Sequence, residues 1–333
     1  MKKSVIFFVI SFISNQVFLN AKSMKENEEL FSALSTHLKL SEKQIQDVKK
    51  IFEASGFIGQ GNVKVTKHPM SIEECKAKLS KTKVEYVNKN FETICKAPFM
   101  SPIFNPKNQK PDEAKTCIDK FEFPNIPCEY PVIWVRASEA ELICRAVGKR
   151  MCDSHEWEGA CAGEAPMPDY PFNLIRPEMT ANQKHEIFRN YHNKKRKIIW
   201  SYGNKQNHTL CATDSTKTKE CNQALATGKS VYETCGSNTY PSGAFPECKS
   251  DTGVYDIHGN AAEHMNLAFS PEELTINNGT GYTEMKGSWF IFAKYSAHND
   301  DCHWRAPFWH GTKVMSEQSH RNYHLGFRCC KDI

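Results

Sequence analysis

The chain has 333 residues, 40% of them hydrophobic, and a formal net charge of +5. At roughly 100–200 residues per domain, this allows one large core, or one core with a small helical satellite, and excludes a chain disordered throughout. The one dense basic run, Lys194-Lys195-Arg196-Lys197, has no interleaved aromatics, so a solvated loop is expected there and nucleic acid is not an expected partner.

Residues 1–21 read as a secretory signal. Lys2 and Lys3 precede an apolar stretch over 5–13, and Leu19-Asn20-Ala21 offers a small-residue site for cleavage after Ala21. The stretch is shorter than the roughly 20 residues a spanning helix needs. The expectation is therefore an exported protein, periplasmic or extracellular, with no membrane insertion after cleavage. The fourteen cysteines agree, because thiols outside the reducing cytoplasm oxidise to bridges, and none stands in a CxxC pair.

Residues 22–111 read as a small helical unit and its connector. Over 27–38, Leu30, Phe31, Leu34 and Leu38 recur at helical spacing, and Ser41 with Gln44 makes a capping box for a second helix. That helix carries Ile45, Val48, Ile51 and Phe52 on one face and stops at Gly56. A third begins with the box Ser71 to Glu74, and Cys75 and Cys95 bracket it and its return, so these two are expected to pair. The connector over 97–111 contains Pro and Asn.

The region 112–333 opens on an alternating strand over 117–123 that is expected to continue through 131–135. Ser138 with Glu141 then caps a helix with Ala140, Cys144 and Val147 inside, ended by Gly148. Asp153 with Glu156 caps a shorter one carrying Trp157, Ala160 and Cys161. Further on, GVYDIHGNAAE at 253–263 concentrates oxygen donors in a way that suits a hard cation such as Ca²⁺: Asp256, the backbone at Gly259, Asn260 and Ala261, and Glu263.

The run VIWVRASEAELICRAVGKRMCDSHEWEGACAG resembles the central signature of the formylglycine-generating, sulfatase-modifying factor family. YGN at 202–204, GVYDIHGNAAEH at 253–264, KGSW at 286–289 and GFRCC at 326–330 resemble its other landmarks, in the family's order. The resemblance implies an α+β fold with little regular secondary structure, related to the C-type-lectin-like fold. It also implies a calcium site at Asp256, Gly259, Ala261 and Glu263. By family position Cys144 pairs with Cys329 and Cys161 with Cys302. Cys152 with Cys330 is then a natural third bridge and Cys117 with Cys128 a fourth, while Cys211, Cys221, Cys235 and Cys248 allow three connectivities.

The family's oxidase uses two cysteines just past the GSW-like turn, whose thiolates hold Cu(I). Here those positions fall on Ile291 or Phe292 and on Ser296 or Ala297, and no cysteine lies between Cys248 and Cys302. Neither hydrocarbon nor hydroxyl replaces a thiolate, so formylglycine generation by that route is not expected. Ser288, Trp289 and Arg305 resemble substrate-pocket positions. With Phe290, Tyr295 and Trp304 they are expected to line a groove for a peptide, a polysaccharide or a small molecule. The alternative is an oxidoreductase with a relocated transition metal. His298, His303, His310, His320 and His324 crowd the C-terminal stretch, and His320 with His324 has the spacing of a ligand pair.

Overall fold

The computed structural model describes residues 27–165, 169–222, 231–308 and 311–333; the expected signal at 1–21 lies outside them. Helix α1, Glu28–Leu38, buries Leu30, Phe31, Leu34 and Leu38. Helix α2, Glu42–Ser55, starts where Gln44 donates to Ser41 Oγ and takes the Ser41 N–H in return. It ends where Gly56, at φ 68°, donates back to the Phe52 carbonyl. Helix α3, Ile72–Thr82, opens with the same reciprocal pair between Ser71 and Glu74, and α4, Lys89–Cys95, follows.

The chain then lays down β1, Met100–Pro102, and β2, Thr116–Asp119. The long strand expected from 117 to 135 is not formed. Pro124, Pro127 and Pro131 remove ladder donors, and the path bends through a cis Phe123–Pro124 bond and left-handed Asn125 and Trp134. Helix α5, Ala137–Ala146, starts before Ser138, because Glu139 rather than Glu141 takes the cap N–H, that of Arg136, at 2.7 Å. Glu141 turns inward and accepts the Met151 N–H. Next come β3, Arg150–Met151, and α6, Ser154–Ala162, whose Glu156 takes the Asp153 N–H. Helix α7, Ala181–Lys195, leads to β4, Ala262–Leu267, β5, Tyr282–Lys286, β6, Leu325–Gly326, and β7, Cys329–Asp332.

The fold is α+β. One sheet has the order β1-β2-β7-β3, antiparallel throughout; the other has the order β5-β4-β6, with β4 and β6 parallel. The N-terminal helices are not a separate satellite. Phe31, Val48 and Phe52 share one apolar cluster with Ala140 and Cys144 of α5 and with Phe327, so 28–55 completes the core of the larger region.

All fourteen cysteines are bridged. Cys144 joins Cys329, Cys152 joins Cys330 and Cys161 joins Cys302, tying α5, β3 and α6 to the C-terminal segment. The expected Cys75–Cys95 and Cys117–Cys128 pairs are replaced by Cys75–Cys128 and Cys95–Cys117. The reason is orientation: the Cys75 side chain packs with Tyr86, Phe121 and Cys128, whereas Cys95 lies against Met100 and Cys117. Cys211–Cys248 and Cys221–Cys235 complete the set.

Candidate functional site

The loop ahead of β4 is held by its backbone. Gly259 has φ 80°, and a Cβ there would lie 2.6 Å from the Ala212 carbonyl oxygen, so only glycine fits. Its N–H donates to Ser288 Oγ at 2.9 Å, and the next N–H, of Asn260, donates to the Ala212 carbonyl. Ala261 N–H donates to Glu122 Oε1 at 3.2 Å. At the end of the segment Glu263 forms a two-bond fork with Arg328, 2.7 Å from Nε and 2.6 Å from Nη2, and also accepts from Trp157 Nε1. The other Arg328 donors go to the carbonyls of Asp119, Lys120 and Tyr255.

Glu122, Asp256 and Glu263 are thus three buried carboxylates around one guanidinium. Burial, together with Glu263, pushes the Asp256 carboxyl up to about 7. Burial and the neighbouring Asp256 raise Glu122 well above the ordinary carboxylate range. Asp256 Oδ2 accepts the Gly243 N–H, while Oδ1, equally buried, has no hydrogen-bond partner. An orphaned carboxylate oxygen in a centre with more negative than positive groups fits a hard cation in charge and donor type. The assignment within the centre differs from the expectation. Both Glu263 oxygens are engaged by Arg328, and the carboxylates left without a cationic fork are Asp256 and Glu122. The sequence reading missed Glu122, although a glutamate between Phe121 and Phe123 in an apolar run signals a buried partner.

The expected groove residues are mostly closed off. Ser288 is buried, accepts from Gly259 and donates to Asp300 Oδ2 at 3.2 Å. Arg305 is fully buried: Nε and Nη2 pair with Glu158 at 3.0 and 3.2 Å, and Nη2 also reaches Asp169. Its guanidinium lies over the Tyr170 ring. Arg305 therefore serves an internal ion-pair network, which corrects its expected role as a ligand contact. Phe290 and Ile291 are core residues, Trp304 is buried, and Trp289 stacks on Tyr323. Of the six only Tyr295 is well exposed.

Residues 62–333 match the family described as the sulfatase-modifying factor enzyme 1-like domain. The chain belongs to this family. Comparison with curated proteins returns no match. Among solved structures it is similar to one described as the crystal structure of CarF, at 11% identity and a TM-score of 0.33, over 70% of this chain and 98% of that one. The match begins at residue 62, so α1 and α2 are outside it, although they share its core.

As a sulfatase-modifying factor domain the chain lacks one ingredient. The first position of the expected copper-binding pair is the packed side chain of Ile291 or Phe292, both buried. No cysteine elsewhere is free to substitute.

His324 meets the Trp289 ring edge-on at 3.8 Å, and His320 sits beside Asn322 Nδ2. Neither belongs to any group of three metal-ligating side chains among the described residues. His298 stacks on Trp304, and His310 lies outside the described residues. A cleft of about 230 Å³ opens instead between the loop at 57–68 and the domain. Its walls include Phe57, Tyr232 and a stacked pair, His68 and Tyr130, at 3.5 Å. Burial holds the His68 imidazole down at about 4.

Proposed function

We propose that this chain is an exported, calcium-stabilised sulfatase-modifying factor domain that binds a ligand or partner and does not carry out copper-thiolate formylglycine generation. The observation that carries the reading is the cysteine inventory: all fourteen are spent on bridges, and Cu(I) held by two thiolates has no counterpart without a thiol pair. Seven bridges fit maturation outside a reducing compartment. No helix among the described residues is long and apolar enough to cross a membrane.

Calcium is supported by the buried carboxylate excess around Arg328 and by the orphaned Asp256 oxygen. Asp256, Glu122 and the Gly259 and Ala261 carbonyls would hold the ion, with Glu263 positioned by Arg328. Bound there, the cation supplies the missing positive charge and orders the loop that precedes β4. The ligand surface best supported is the cleft walled by Phe57, His68, Tyr130 and Tyr232, because flat rings with a few polar neighbours such as Gln60 suit a peptide, a sugar chain or a small molecule.

Two measurements on the full chain test the reading. After dialysis against metal-free buffer, inductively coupled plasma mass spectrometry is expected to find calcium near one per chain. Incubated with Cu(I), oxygen and a cysteine peptide of sulfatase sequence, the protein is expected to yield no aldehyde above a copper-only control. Aldehyde formation would overturn the non-oxidase reading; calcium-free protein would overturn the calcium assignment.

A further inference from the structure

The cleft walled by Phe57, His68, Tyr130 and Tyr232 has an uncharged lining. Among the described residues, no Asp, Glu, Lys or Arg lines it, and burial keeps the His68 imidazole neutral, at about 4. Two charged groups behind the walls are already engaged. Glu129 accepts from the Gln60 amide at 3.4 Å, and Arg321, over the Phe57 ring, donates to Ser55 Oγ at 3.1 Å and to Glu139 at 3.4 Å. A charged ligand would lose its water here without gaining a partner, so the cleft selects for a neutral one.

The rings are fixed in advance. Tyr130 Oη donates to the Met70 carbonyl at 2.8 Å, and His68 Nδ1 donates to the Thr239 carbonyl at 2.9 Å. These two rings stack within 12° of parallel, while Phe57 and Tyr232 meet edge to face at 4.9 Å and 86°. The loop that carries Phe57 and His68 is pinned to its surroundings: Gly59 bridges to Ile133, Asn62 Nδ2 donates to the Tyr232 carbonyl at 2.9 Å, and Lys67 N–H donates to Asn238 Oδ1 at 2.7 Å.

Polar groups stand beside the rings. Gln60 Nε2 donates to the Tyr130 carbonyl at 2.9 Å, which leaves the amide oxygen as an acceptor. Thr66 Oγ1 accepts the Ser237 N–H at 3.1 Å, which leaves its hydroxyl proton to donate.

We propose that this cleft binds one uncharged sugar ring of an oligosaccharide, an inference that rests on the reading of the cleft as the ligand surface. A pyranose has an apolar C–H face that packs on an aromatic ring and a rim of hydroxyls that donate and accept, matching the rings, the Gln60 oxygen and the Thr66 hydroxyl. The volume of about 230 Å³ is below the roughly 300–1,000 Å³ of sites for drug-sized ligands, so a single ring enters and the rest of the sugar chain lies outside. A proline-rich peptide, another neutral ligand that aromatic rings hold, docks along an extended groove, and one compact cleft does not supply that. Phe57 and Gln60 precede residue 62, where the family match begins, so part of the site is built from outside the matched domain.

The test titrates the full chain with maltotriose, cellotriose and tri-N-acetylchitotriose, and separately with decaproline and with indole, followed by protein NMR chemical shifts. At least one trisaccharide is expected to bind, with an affinity that changes less than about twofold between low and about 0.5 M salt, because no ion pair forms. Phe57→Ala and His68→Ala should each weaken binding by about tenfold. Phe57 is partly exposed, so its truncation tests the contact without emptying the core. Phe57→Tyr, which keeps the ring, should lose far less than Phe57→Ala, and Leu142→Ala, at an exposed position on α5, should bind as the parent does. No trisaccharide bound, or binding that neither alanine variant at Phe57 and His68 weakens, would overturn the proposal. Decaproline or indole binding that Phe57→Ala weakens, with no trisaccharide bound, would overturn it and leave the cleft a ligand site; no probe bound would overturn both.

Discussion

Arg328 spends its donors on one carboxylate, Glu263, and on three backbone carbonyls, while Asp256 and Glu122 feel its charge without a hydrogen bond to it. Removing its fork partner leaves the buried guanidinium without a hydrogen-bonded carboxylate, so Glu263→Gln should lower unfolding free energy by about 3–5 kcal/mol in urea titrations. A loss under about 1 kcal/mol would mean that the fork is not the keystone of the centre. Asp256 makes a different prediction, because its carboxyl is raised from 3.8 to about 7. In metal-free buffer the folded chain holds a proton there that the unfolded chain has released, so this residue's contribution to stability falls as pH rises from about 4 to about 7. Histidines such as His258, lowered to about 4 by burial, titrate in the opposite sense and cancel when variant and parent are compared. Asp256→Asn should therefore gain on the parent across that interval, measured as a difference in melting temperature at pH 5 and pH 7.5, while losing calcium binding. A difference that does not change with pH would sink the picture of a charge-frustrated centre.

Helices α1 to α3 were legible because their determinants are local: four apolar residues at helical spacing, a serine with its reciprocal glutamine or glutamate, and a glycine stop. The strand expected to run to Val135 failed because prolines override alternation. The site was legible only in part. The oxygen-rich loop could be read along the chain, but the partners that decide what each group does are 65 residues away for Glu263 and 147 for Arg305. The family resemblance gave Arg305 to a ligand, and the oxygen-rich loop gave Glu263 to a cation; the ion pairs that claim them come from other elements. Within the loop, Gly259 and Gly253 separate two kinds of constraint. Both have positive φ, but a Cβ at Gly259 strikes the Ala212 carbonyl, whereas one at Gly253 meets nothing within 4 Å. Gly253→Ala should cost about 1–2 kcal/mol, the left-handed penalty alone. Gly259→Ala should cost clearly more and weaken calcium binding, and equal losses would refute the steric argument.

Across the whole molecule the bridges differ in reach. Cys144–Cys329 spans 185 residues and Cys221–Cys235 only 14. On loop-closure entropy, replacing the first pair by alanine should cost about 5 kcal/mol and the second about 3 kcal/mol, compared by thermal or denaturant unfolding. Equal losses would show that strain or residual structure outweighs loop length. The same bridges impose an order in time. Cys329 and Cys330 follow every cysteine they bind, by 185 and 178 residues. As ribosome or translocon delivers the chain from its beginning, α5, β3 and α6 emerge with their thiols unmatched and must wait for 141 to 185 residues. Until then Cys144, Cys152 and Cys161 are open to one another and to the earlier cysteines, so faithful maturation calls for an isomerase or a slow oxidant. Truncation just before Cys329 would leave two thiols without partners and tell a quality-control system that the chain had not been finished.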